Sequence, residues 1–199
     1  MEMVYRLIRK AGRILHQETK MFTQEVIKRL SVLTDSLLPY VYTKFNTNKS
    51  LIETLHNPNF NISWTKLVSI LSVIDVLFDG KKKKKSIVQL IHDEDDPNIK
   101  RKLLLPELPG LMVEVKTGKA FVMYGAEILR TVDQLPMGLL CFYALFYVLN
   151  VDYPNECATF LSILQRLILK DIRCIDSHCD KVENHLEELR TFLPYDFII

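Results

Sequence analysis

The chain has 199 residues and a mass of 23.2 kDa; 48% of the residues are apolar, 25% are charged, and the formal net charge is +2. This composition excludes an intrinsically disordered or collagen-like chain and fits one globular domain or two small ones. Six glycines and eight prolines are few for a loop-rich β-sandwich. Leucine, isoleucine and lysine recur at helical spacing, so the sequence predicts a mainly α-helical protein.

The charge is unevenly distributed along the chain. Residues 1–105 carry a net charge of +7, and residues 106–199 carry −5. Five consecutive lysines, Lys81 to Lys85, supply much of the positive charge. Such a run is typical of a solvated loop, and the alternative is a phosphate-binding or localisation patch.

Two amphipathic helices are predicted at the start of the chain. The first covers residues 2–18, with an apolar face and four basic side chains elsewhere. The second runs from about 24 to 45, with Thr23 as its N-cap. Pro39 lies inside that stretch and is expected to kink the helix or end it after Leu38.

A different kind of helix is predicted over residues 63–78. Its sequence is SWTKLVSILSVIDVLF, which is apolar on nearly every side and therefore indicates a buried central helix. Further along, the apolar residues between Ile87 and Ile91 suggest one or two turns of helix. Residues 80–110 as a whole indicate a charged linker or partial helix.

The second half of the chain opens with alternating residues. Residues 111–124 alternate around Lys116-Thr-Gly-Lys119, which predicts a β-hairpin. Helices are predicted at about 136–149, 154–171 and 177–193. Residues 134–151 are uncharged, and their length and polar interruptions favour a buried core helix over a membrane-associated segment.

These elements give a predicted fold class and a domain division. The fold is expected to be a mainly α helical bundle with a buried central helix, plus a small α+β C-terminal part with one β-hairpin. The bundle would occupy residues 1–79, the charged linker residues 80–110, and the hairpin with three helices residues 111–199.

Catalytic signatures are lacking in the sequence. No nucleophile elbow, phosphate-binding loop, zinc-protease or dinucleotide motif is present, so we expect a non-enzymatic protein without a cofactor. The cysteines form no C-x-x-C pair and the N-terminus lacks a signal-peptide core, which favours an intracellular, cytoplasmic or nuclear location. A zinc site is a minor alternative, for one local group of residues: Cys174, His178, Cys179 and His185.

The most informative segment is the apolar stripe within the second helix. Val26, Leu30, Leu33 and Leu37 recur at i, i+4, i+7 and i+11, and Asp35 lies near the end. A helix with this stripe can line or occupy a hydrophobic groove. An ordinary core helix shows the same pattern, so the stripe alone leaves both interpretations open.

Read together with Asn61-Ile-Ser-Trp-Thr-Lys66, the stripe resembles the B-cell-lymphoma-two (Bcl) family of apoptosis regulators over residues 4–79. The stripe and Asp35 match the third homology motif of that family, and Trp64 and Lys66 match the first. The resemblance implies a groove that binds an amphipathic helix of another protein, with Lys66 as the charged contact. Thr65 replaces the family's glycine, and Lys66 replaces the commoner arginine, which gives bidentate pairing.

Residues 103–172 have a second resemblance. They are similar to the C-terminal segment of uncharacterised, apparently mobile-element-derived vertebrate proteins, which implies no biochemical activity. The leading hypothesis is therefore a non-enzymatic protein-interaction module, in the form of an apoptosis regulator. The alternative is a nucleic-acid-associated or functionless remnant of a mobile-element protein, with nucleic acid bound through Lys81–Lys85. A membrane partner is not expected.

Overall fold

The structure is a computed structural model that describes residues 6, 9, 10, 13, 19–45, 67, 70, 71, 87–125, 127–154, 158–169, 179–194 and 197. In chain order, the helices and strands are α1 (Thr19–Phe45), β1 (Val88–Ile91), α2 (Pro97–Arg101), β2 (Pro109–Glu114), β3 (Ala120–Tyr124), β4 (Glu127–Val132), α3 (Leu135–Leu149), α4 (Ala158–Leu164), a π-helical turn (Gln165–Leu169) and α5 (Cys179–Arg190).

Four strands form one mixed sheet in the order β1-β2-β3-β4. Strand β1 is parallel to β2, with Val88 opposite Leu111, and the chain between them passes through α2. The other two pairings are antiparallel, and the β3–β4 pairing contains a β-bulge next to Val122 and Met123. The predicted hairpin is thus present as β2 and β3, but it is the centre of a larger sheet.

The predicted fold class is therefore wrong: the described residues form an α+β arrangement, not a mainly α bundle with one hairpin. Residues 88–91 are a strand where a helical turn was predicted. A short apolar run has no reliable period, and here the parallel pairing with β2 decides the conformation. Strand β4 was not predicted at all, because its polar and apolar residues are mixed, as is common for a strand at a sheet edge.

Helix α1 is longer than predicted and is not ended by Pro39. It begins at Thr19, so Thr23 is not its N-cap, and it continues to Phe45. Pro39 is exposed, on a side of the helix where water can donate to the carbonyl four residues earlier. The hydroxyl of Thr43 donates to the carbonyl of Pro39 over 2.9 Å, which supplies a local contact at this point of the helix.

One hydrophobic core joins α1 to the sheet and to the C-terminal helices. It includes α1 residues such as Leu30, sheet residues such as Val113, and α5 residues such as Leu186. Helix α3 packs on the same face of the sheet, where Leu111 and Val122 point into this core. A smaller cluster on the other face contains four buried residues, packed with the partly buried Phe121: Ile91, Leu104, Met112 and Met123.

Tyr143 of α3 and Tyr153, just after this helix, donate hydrogen bonds to α4 and to the π-helical turn. The Tyr143 hydroxyl donates to the carbonyl of Leu161 over 2.6 Å, and the Tyr153 hydroxyl donates to Oε1 of Gln165 over 2.8 Å. The ring of Phe146 meets the ring of Tyr153 edge to face, with centroids 5.1 Å apart. The uncharged stretch at 134–151 is thus a core helix within this domain, and no helix of the described residues is long and apolar enough to cross a membrane.

The C-terminal cap of α3 gives a first testable prediction. Asn150 has φ 53° and ψ 47°, and its N–H donates to the carbonyl of Phe146. A β-branched residue in this left-handed conformation is strained, so Asn150→Val should lower the free energy of unfolding by about 1–2 kcal/mol. Asn150→Gly should leave it within about 0.5 kcal/mol of wild type, since glycine adopts this conformation readily.

Urea unfolding followed by circular dichroism measures both changes. The matched control is Asp152→Val, at an exposed position two residues later. Among the described non-glycine residues, Asn150 alone has a positive φ, so the control should change the free energy of unfolding much less. Equal effects of the two valine substitutions would contradict the cap.

Candidate functional site

The predicted apolar stripe lies inside the core. Val26, Leu30, Leu33 and Leu37 are each at most 2% exposed. Asp35 is on the exposed side of the same helix. The four apolar side chains thus contact this chain's own core, which is the ordinary interpretation of such a stripe.

The partners of the stripe come from the second half of the chain. Val26 and Leu30 line a small apolar cavity of about 10 Å³, together with six residues of α3, α4 and the π-helical turn: Leu139, Leu140, Tyr143, Leu164, Ile168 and Leu169. A volume near 10 Å³ holds about one water molecule, far less than an apolar side chain of a partner needs. This place therefore offers no room for an inserted helix.

A buried arginine secures the same contact between α1 and the π-helical turn. Arg29 is 6% exposed; its Nε donates to Oε1 of Glu25 over 2.9 Å, and a terminal nitrogen donates to the carbonyl of Leu167 over 2.9 Å. The guanidinium also lies 5.0 Å from the ring centroid of Phe197. Arg29 thus joins α1 to the π-helical turn, across 138 positions of the chain.

The other sequence-predicted contacts lie mostly outside the described residues. Trp64, Lys66 and Lys81–Lys85 belong to this group, so their predicted roles stay predictions. From the predicted central helix, Leu67, Ile70 and Leu71 are described, and all three are helical and buried.

The candidate zinc ligands also stay largely untested. Cys174 and His178 lie outside the described residues, while Cys179 begins α5 and His185 lies within it. The described residues contain no group of three or more side chains suited to hold a metal ion.

The acidic run at residues 93–96 organises a turn. The Asp96 side chain accepts from the N–H of Asn98 and caps α2, and Asp93 pairs with Lys116 over 2.9 Å. The backbone N–H of His92 donates to the Asp95 carboxylate, which lowers the pKa of Asp95, and Lys100 assists. These carboxylates point to separate partners and do not converge on one site.

Helices α1 and α5 meet through a polar pair at the domain's edge. The Tyr40 hydroxyl donates to Oε2 of Glu188 over 2.8 Å, and the Tyr40 ring packs edge to face on Phe192 at 5.5 Å. Burial and the carboxylate of Glu188 raise the pKa of Tyr40, so the phenol stays protonated throughout the physiological range. The pair fixes the two helices and offers no acid–base chemistry near neutral pH.

Cys141 is a free thiol that is fully buried in α3. Burial raises the pKa of Cys141 to about 11, although the positive charge of Arg130 opposes this shift. Because the thiolate is the reactive form, we expect native Cys141 to be inert toward thiol reagents.

This pKa predicts a loss of stability at alkaline pH. In the unfolded chain the thiol has its ordinary pKa of 9.0 and ionises more readily. The free energy of unfolding is therefore retained below pH 9.0 and decreases as the pH rises toward 11. Between pH 8 and pH 10 the loss should be about 1.3 kcal/mol. The measurement is the unfolding free energy of wild type minus that of Cys141→Ala at both pH values; a difference independent of pH would contradict it.

Within the described residues, the outer edge of the sheet at β4 is exposed, and sequence reasoning missed this strand. Within the described part of the chain, β4 pairs with β3 alone, and no backbone hydrogen bond reaches its outer side. Ile128 is 48% exposed and Tyr124, across the hairpin, is 37% exposed. The signal was present as isoleucine, threonine and valine in EILRTV, residues favoured in strands.

Four cations near the N-terminus are described: Arg6, Arg9, Lys10 and Arg13 are all helical and exposed. They were predicted to lie away from the apolar face of the first helix, in the half of the chain with a net charge of +7.

No family model, no curated protein and no solved structure matches this chain. The resemblances to the Bcl family and to mobile-element-derived proteins accordingly stay predictions.

Proposed function

We propose that this chain is a non-enzymatic protein-interaction module that works inside the cell, in the cytoplasm or nucleus, and that its partner adds an extended segment to β4. The open outer side of β4 carries the proposal, because unpaired backbone N–H and C=O groups at a sheet edge are a template for another strand. Ile128 gives such a segment an apolar side chain to cover.

The edge is short and partly protected, which suits selective binding. Strand β4 has six residues and contains the irregular side of the β-bulge, while Glu127 and Arg130 add charges of both signs. Bulges and charges reduce indiscriminate pairing of edges. A partner would therefore need matching side chains as well as an extended backbone.

A second proposal is that the chain regulates apoptosis by binding an amphipathic helix of a partner in a hydrophobic groove. Its four apolar anchor positions are occupied by the chain's own core, so the partner helix would have to open the contact between α1 and the π-helical turn. Titration with a synthetic death-motif peptide tests it. Saturable binding that persists in Ile128→Lys would favour the groove over the edge.

The edge is tested with peptides of about twelve residues selected from a random displayed library on the wild-type protein. Binding of the selected peptides should fall at least tenfold in Ile128→Lys and stay unchanged in Ile128→Val, because lysine on an edge disfavours added strands. Leu149→Lys, at a similarly exposed apolar position at the end of α3, is the matched control.

Hydrogen exchange locates the bound peptide. We expect amides of β4 to gain protection when the peptide is bound, since their outer N–H groups would acquire acceptors. Selected peptides that bind Ile128→Lys as tightly as wild type, or that protect residues away from β4 only, would overturn the edge proposal.

A further inference from the structure

We propose that the segment added to β4 carries an aspartate or a glutamate whose carboxylate pairs with Arg130. This inference rests on the proposed function, because it names the chemistry of the partner that binds at the β4 edge. Binding at the edge without any need for an acidic residue would contradict this inference alone.

The β-bulge in β4 turns Ile128 and Arg130 to opposite faces of the sheet. Ile128 lies opposite Met123, which belongs to the smaller cluster. Arg130 lies opposite Val122, which belongs to the main core. Residues two apart in a regular strand share a face, and the extra residue of a bulge redirects the side chain that follows it. A segment along β4 therefore meets an apolar side chain on one face and a cation on the other.

Arg130 has no counter-charge among the described residues. Its side chain is half-buried, and Nε is buried without a hydrogen-bond partner. Its positive charge opposes the rise in the pKa of Cys141, so the guanidinium lies near that thiol, which is neutral and cannot balance it. Glu127, the acidic residue of β4, is exposed and forms no ion pair with Arg130. A partly buried donor without an acceptor is costly, and an incoming acceptor removes that cost.

A carboxylate is the side-chain group that suits this site. The planar fork of arginine pairs with a carboxylate through two parallel hydrogen bonds, which are stronger than hydrogen bonds between neutral groups. Successive side chains of a strand point to opposite faces. In a regular partner strand, the apolar residue beside Ile128 and the acidic residue beside Arg130 should therefore be separated by an odd number of positions.

The test uses the peptides selected from the displayed library on the wild-type protein. Their sequences should contain an acidic residue at an odd separation from an apolar one. Changing that residue from aspartate to asparagine, or from glutamate to glutamine, should weaken binding to wild type about tenfold. The same change should matter less than about twofold in Arg130→Gln, where the acid has lost its partner. Arg130→Lys should give an intermediate effect, because it keeps the charge without the fork.

Lys28→Gln is the matched control, because it removes an exposed cation of α1 and should keep the full tenfold preference for the acid. Thermal unfolding checks that each variant is folded. If Arg130→Gln did not fold, the acid and amide peptides compared on wild type would still decide.

Two outcomes would overturn this inference and leave the edge proposal standing: equal binding of acid and amide peptides that protect β4, or an equal acid preference in Arg130→Gln and wild type. Selected peptides that do not protect β4 at all would overturn both. A dimer of the wild-type protein in sedimentation that is lost in Ile128→Lys would also overturn this inference, because a second copy of the chain would then occupy the edge.

Discussion

Replacing Gly138 with alanine should lower the free energy of unfolding by about 2–3 kcal/mol. Gly138 lies in the first turns of α3, where the helix crosses β3, and a Cβ built on it would lie well inside the 3.0 Å from the Cβ of Ala120 that real Cβ contacts essentially never pass. No rotation of a side chain relieves that contact, because both atoms are attached directly to the backbone. Overpacking of this kind typically costs about 1–3 kcal/mol.

The sign of the effect is informative. At an exposed helical position, glycine to alanine stabilises a protein by up to about 1 kcal/mol. A marked destabilisation therefore requires the close approach of α3 to the sheet. Urea unfolding of wild type and Gly138→Ala measures the difference, and a stabilising substitution would contradict the packing.

A second substitution, at Ala120, should compensate for part of the stability lost in Gly138→Ala. Ala120→Gly removes the opposing methyl group, after which the nearest side-chain atom to a Cβ at position 138 is Cγ2 of Val132 at 3.4 Å. Ala120→Gly alone should cost about 1 kcal/mol, the price of glycine in a strand. The double variant should be no less stable than Gly138→Ala, with a coupling energy of about 2 kcal/mol. Additive effects would contradict direct contact.

Loss of Arg29 should have an effect of similar size. Arg29→Met keeps much of the apolar stem but removes the donor to the carbonyl of Leu167 and the cation over Phe197. Loss of a buried hydrogen bond from a charged donor costs about 1.5–3 kcal/mol, and loss of the cation over Phe197 adds to that. We expect a decrease of about 2–4 kcal/mol in the free energy of unfolding.

Related variants separate the roles of the charge, the fork and the partner. Arg29→Lys keeps the charge without the planar fork and should fall between wild type and Arg29→Met. Glu25 is 46% exposed, so Glu25→Gln should cost less than about 1 kcal/mol. Lys28→Met, at the exposed position just before Arg29, is the control. If Arg29→Met and Lys28→Met were equally stable, Arg29 would not join the two halves.

The helical elements were largely predictable because their patterns are long. The predicted helix at 136–149 matches α3 closely, and the helix predicted at 177–193 contains α5. The hairpin was predicted from alternation around Gly118, which has φ 73° in the turn. Long segments with a clear period carry more information than short ones.

The sheet could not be predicted because its outer strands depend on contacts distant in sequence. Strand β1 has four residues and takes its conformation from pairing with β2, more than twenty residues later. Strand β4 is half exposed, so its side chains show no clean alternation. The hydrogen bond of Arg29 could not be predicted either, because its acceptor at Leu167 lies 138 residues away. In the same way, the spacing of the apolar stripe does not indicate whether a partner protein or this chain's own core covers it.

Helix α1 and the sheet share one core, and we therefore propose that a partner binds at β4 rather than at the apolar stripe. Native-state hydrogen exchange in increasing denaturant tests it most directly. The slowest amides around Leu30 in α1 and around Val113 in β2 should give the same opening free energy and the same dependence on denaturant. If the amides of α1 exchanged through a separate opening of much lower free energy, while β2 stayed protected, the stripe would be available to a partner and α1 would not share a cooperative core with the sheet.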